Sequence, residues 1–83
     1  MKYTIDWEAT FKARENKSIP LKTLVKLVSY EEWGDWKANK DGVGKVIKVD
    51  GGELPVRIRW LNPITYNTSR TPFDNILVVK KSD

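Results

Sequence analysis

Neither cysteine nor histidine occurs among the 83 residues, and this double absence constrains the fold more than any other feature of the chain. A chain this short buries only about 60% of the surface it exposes when unfolded, and domains of such size commonly add disulfides or a metal. Disulfide, thiolate and imidazole devices are all excluded here. The core therefore rests on side-chain packing, for which the chain has four Trp, three Tyr and two Phe, each able to bury roughly 150–250 Å². The imidazole base and the thiolate nucleophile are missing too, so the expectation is a chain that is not an enzyme and takes no cofactor. Glu31-Glu32 or Asp35 with Asp41 could in principle hold a divalent ion. They stand in a polar stretch without flanking apolar residues to raise a pKa, where solvated loop charge is the plainer account.

Lack of cysteine fits a reducing compartment, and a cytoplasmic location is expected. Lys2, Asp6 and Glu8 interrupt the N-terminal segment, so it is not expected to act as a signal peptide. No stretch approaches the ~20 apolar residues of a membrane-spanning helix, so no membrane partner is expected. Fifteen Lys and Arg against eleven Asp and Glu leave a formal charge of +4. That excess favours an anionic partner through long-range attraction, although many domains carry as much for solubility alone.

Along the chain, Tyr3, Ile5, Trp7, Ala9, Phe11 and Ala13 alternate with Lys2, Thr4, Asp6, Glu8, Thr10, Lys12 and Arg14. This period of two predicts a half-buried strand over residues 2–14. A helix competes, because Trp7 and Phe11 are four apart, but it would scatter Tyr3, Ile5 and Ala9 around its circumference. Residues 19–33 are ambiguous: Ser18, Pro20 and Gly34 suit the ends of a helix, whereas Val25 and Leu27 against Lys22 and Lys26 suit a strand. A polar loop over residues 31–42 follows, holding Trp33 and Trp36. Residues 44–49, the turn Asp50-Gly51-Gly52 and residues 54–60 then read as a hairpin. Its second arm sends Val56, Ile58 and Trp60 to one face and Arg57 and Arg59 to the other. A short strand over residues 65–69, a single 3₁₀-type turn at Thr71-Pro72-Phe73-Asp74, a closing strand over residues 76–80 and a polar tail complete the chain. No repeat or second domain is visible, so residues 1–83 are expected to form one domain.

Several segments taken together resemble small SH3-like barrels of the KOW, Tudor and Mind-bomb kind. They are Val25-Lys26-Leu27-Val28, Gly42-Val43-Gly44-Lys45-Val46, Val56-Arg57-Ile58-Arg59-Trp60, Tyr66-Asn67 and Phe73-Asp74-Asn75-Ile76-Leu77-Val78-Val79. In that pattern a first strand leads through a long loop to a Gly-x-Gly opening of a hairpin whose second arm ends in Trp, and a short turn precedes the closing strand. The resemblance covers roughly residues 23–80 and implies an all-β (mostly β) barrel of about five strands. It favours a strand over residues 24–30. The alternating segment of residues 2–14 lies outside it as an additional strand that pairs with the barrel or with another protomer through its edge, and Asn62-Pro63 departs from the turn expected there. Free-standing barrels of this kind are frequent among small bacteriophage proteins, so the resemblance also implies a phage origin, with the host cytoplasm as location.

Arg57 and Arg59 are the first binding candidates, since alternation aims both guanidinium groups from one sheet face, where they can fork onto phosphates. Lys45 in the partner arm lies near them, and Arg70 joins the set; Lys48 shares that face only if a bulge intervenes. A solubilising face, or cross-strand pairing with Glu8 or Glu53, explains the same pattern. Trp33, Trp36 and Tyr66, with Phe73, are the second candidates, as aromatics that stack on unpaired bases or cage a methylated lysine. Closure of the core is the competing account, preferred for Phe73 and Trp60. Gly42-x-Gly44 and Gly51-Gly52 lack the context of phosphate-binding loops and read as backbone devices. The expected partner is nucleic acid, DNA or RNA, bound by a monomer or small homo-oligomer. The alternative is a protein-interaction module, or a phage-encoded inhibitor of a host protein, using loop aromatics or an exposed strand edge.

Overall fold

The computed structural model of the chain describes residues 2–28, 42–61 and 68–82. It is mostly β, with strands β1 (Lys2–Ile5), β2 (Leu24–Leu27), β3 (Gly44–Val49), β4 (Val56–Trp60), β5 (Thr68–Thr71) and β6 (Ile76–Ser82). One helix, α1 (Trp7–Asn16), follows β1, and a 3₁₀ turn, Phe73–Asn75, precedes β6. The strands form one antiparallel sheet in the order β1-β6-β2-β3-β4-β5, curled into a half-barrel. Its concave side holds Val25, Val46, Val56, Ile58, Trp60, Phe73, Ile76 and Val78, with Ala13 and Ile19 added from α1 and the segment after it. Among the described residues no helix is long and apolar enough to cross a membrane.

The strand expected over residues 2–14 is corrected to a short strand followed by a helix. Only Lys2–Ile5 pair with β6, and the chain then turns at Asp6, whose carboxylate Oδ1 accepts from the Ala9 amide at 3.1 Å as an N-cap. The odd-numbered apolar set splits in consequence. Ala9 and Ala13 turn inward to the core, while Trp7 and Phe11 stack on each other outside it, ring centroids 5.7 Å apart. Asp6, Thr10 and Arg14, four apart and so on one side of the helix, meet the edge of β6 instead of solvent. The Asp6 amide donates to the Val78 carbonyl, the Val78 amide donates to Thr10 Oγ1 at 2.9 Å, and Arg14 donates to the Ile76 carbonyl at 3.0 Å. Side chains of α1 thus take over where β1 leaves the ladder, so the edge groups are not left unpaired.

The ambiguous middle segment holds a strand, as the resemblance implied, which ends at Leu27, while residues 29–33 lie outside the described residues. Val25 and Leu27 are buried and Lys26 half-buried, whereas Val28 is already exposed and bonds the Asn75 carbonyl outside any ladder. The expected hairpin forms: Gly52, at φ 107°, supplies the positive φ in the connection, and the Asp50 amide closes it onto the Pro55 carbonyl. Its second arm begins at Val56, not at residue 54. The strand placed at residues 65–69 occupies Thr68–Thr71, its first expected positions lying outside the described residues. The turn after it is present, with Asn75 Nδ2 donating to the buried Thr71 Oγ1. Residues 80–82, taken for a polar tail, belong to β6 because β1 pairs with them.

Candidate functional site

The outer face of β3, β4 and β5 is built by what those strands bury. Val56, Ile58 and Trp60 are 0%, 0% and 3% exposed, and with side chains alternating along a strand their burial leaves Arg57 and Arg59 pointing outward. Trp60 Nε1 donates to Ser69 Oγ at 2.8 Å, tying β4 to β5. Gly44 lets β3 lie close, since a Cβ there would meet Ile58 Cδ1 at 3.2 Å.

Register then decides which charges meet. Lys45 stands opposite Arg59, which stands opposite Thr68. The ladder shifts between Val46 and Lys48, where Ile47 is the extra residue of a bulge. Beyond the bulge Lys48 stands opposite Arg57, which in turn stands opposite Arg70. The bulge is therefore what brings Lys48 onto the face of Lys45. The outward positions form one row of three cations across three strands and a second row of two beside it. Neighbouring strands lie about 4.8 Å apart and the rows about 7 Å apart along the strands. No Asp or Glu occupies the ladder positions of β2, β3, β4 or β5, so cross-strand neutralisation by Glu8 or Glu53 does not occur in the ladder. Like charges directly opposite one another destabilise a sheet. Lys45, Lys48, Arg59 and Arg70 are exposed and Arg57 is half-buried.

Of the other candidates, Phe73 is 7% exposed and belongs with Trp60 to the core. Trp33, Trp36 and Tyr66 lie outside the described residues, as do Glu31, Glu32, Asp35 and Asp41. Lys48 is the cation that alternation alone misplaces. Its signal is the mismatch between four residues, Val46 to Val49, and the three of β4, Val56 to Ile58, that oppose them, visible only once the pairing is known. Two further surface features stand apart from the basic face. Trp7 and Phe11 are 51% and 56% exposed on α1. A cleft of about 310 Å³ between the hairpin connection and the 3₁₀ turn is lined by Asp50, Glu53, Pro55, Phe73 and Asp74 with Lys17, a mixture of signs around a small apolar floor. No protein-family model, curated protein or solved structure matches the chain.

Proposed function

We propose that the chain is a non-catalytic binding module that holds nucleic acid against the outer face of β3, β4 and β5. The observation that carries this reading is the row Lys48–Arg57–Arg70, three cations brought opposite one another by strand register with no carboxylate between them. Lys45 and Arg59 extend the row into a patch. Lys and Arg donors of this kind engage phosphate oxygens, Arg by its planar fork and Lys as a point charge. We further propose that the scaffold is an SH3-like barrel. The order β6-β2-β3-β4-β5, with a 3₁₀ turn between the last two strands of the chain, supports that assignment and leaves β1 and α1 as additions.

A protein-interaction module is the second reading, favoured by the solvent-facing Trp7–Phe11 stack on α1, since aromatics are enriched where proteins meet. Titration of the labelled protein with short DNA and RNA at low and physiological salt, followed by backbone NMR, separates the two. Shifts at Lys45, Lys48, Arg57, Arg59 and Arg70 that fade with salt are the expected outcome. Unmoved amides at low salt sink the nucleic-acid reading and leave the α1 surface to be tested with protein partners.

A further inference from the structure

The shape and density of the basic patch bear on which nucleic acid it takes and how. Strands β2 to β5, four neighbours about 4.8 Å apart, measure about 14 Å from first to last backbone along the curve of the sheet. The major groove is only about 12 Å wide and admits a helix or a two-stranded ribbon. Arg57 and Arg59 lie on β4, with β3 on one side and β5 on the other, so the face that carries them cannot enter the groove. It lies across the phosphate ridges instead. The outward ladder positions of β3 to β5 also hold none of the Asn, Gln, Asp or Glu side chains that read adenine or cytosine edges, and their Lys and Arg, which fork onto guanine from within a groove, are held outside it.

Charge density separates duplex from single strand. A double helix presents one phosphate per about 1.7 Å of axis, and one strand one per about 3.4 Å. Across a patch about 10 Å wide, a single strand offers about three phosphates. Five cations, Lys45, Lys48, Arg57, Arg59 and Arg70, spread there over two rows and three strands of the convex outer face, an array broader than a single-file track. Among the described residues, the ladder positions facing outward on these three strands carry no aromatic ring, the kind of platform on which unpaired bases stack; Trp33, Trp36 and Tyr66 lie outside those residues. From this geometry, and resting on the nucleic-acid reading above, we infer that the ligand is a double helix gripped by its phosphates with no reading of base sequence.

Fluorescence anisotropy with two labelled duplexes of unrelated sequence, as DNA and as RNA, and with their separated strands tests this. The two sequences should bind within about twofold of each other, each duplex tighter than its strands. The plot of log K against log salt, taken from about 50 to about 200 mM, should have a slope of about −4.5 if all five cations meet phosphates. Lys48→Gln and Arg70→Gln, both at exposed positions, should each flatten that slope by about 1. Lys12→Gln on the exposed side of α1 should leave it unchanged. Tighter binding of single strands, or an affinity difference of about tenfold or more between the two sequences, overturns the inference and leaves the broader reading standing. No binding of any oligonucleotide at low salt overturns both.

Discussion

Thr10 is fully buried, yet its hydroxyl is spoken for twice: Oγ1 donates to the Asp6 carbonyl at 2.8 Å and accepts from the Val78 amide at 2.9 Å. Thr10→Val keeps the shape and removes both bonds, leaving a buried amide without an acceptor. The cost should be about 1–3 kcal/mol, read from urea denaturation, and Thr10→Ser should recover most of it. If Thr10→Val is neutral, the hydroxyl is not what secures α1 to the sheet. Lys17 presents the opposite case. It ends the helix at φ 50°, ψ 47°, in the left-handed region that glycine occupies at less steric cost. Lys17→Gly should therefore raise stability by up to about 1 kcal/mol, and a fall in the denaturation midpoint would show that contacts of the lysine stem outweigh the backbone strain.

The elements that were legible in the sequence are those whose burial follows a single period. The β3–β4 hairpin was readable because Val56, Ile58 and Trp60 alternate with arginines around a glycine-bearing connection. The turn before β6 was readable from Pro72 and Asp74 flanking Phe73. Helix α1 was misread because its residues satisfy both periods. Asp6, Thr10 and Arg14 are four apart and also share parity, and the rings that belong to the core in a strand reading stand outside it in the helix. Period alone cannot tell a polar residue facing water from one bonded to a strand edge, since the distinction depends on β6, more than 60 positions away in sequence. The site was legible in the same partial way. Arg57, Arg59 and Lys45 follow from alternation, whereas the bulge that recruits Lys48, and the register that sets Arg70 against Arg57, are properties of pairing. For α1 itself, Trp7→Ala with Phe11→Ala removes a surface stack of the kind that contributes about 0.2–0.5 kcal/mol within a helix. The double variant should unfold within about 1 kcal/mol of the parent. A much larger loss in thermal or urea denaturation would mean that the rings cover the core after all.

At the scale of the whole sheet, the pairing of β1 with β6 sets Lys2 opposite Ser82, so these contacts join nearly the two ends of the described chain. Such non-local pairing slows folding, and refolding from urea should fall on the millisecond-to-second scale of β-rich domains instead of the microsecond scale of helical bundles. Stopped-flow tryptophan fluorescence measures this directly; a microsecond phase carrying the full amplitude would show that the sheet does not wait for its outermost strand. The same antiparallel neighbours stand only about 4.5–5.5 Å apart at their Cα atoms, a gap that a few linking residues can bridge. The exposed Gly51-Gly52 connection between β3 and β4 offers a place to cut the ring so made. A circular permutant opened there would start at β4 and finish at β3, with each basic row running from its last strand onto its first.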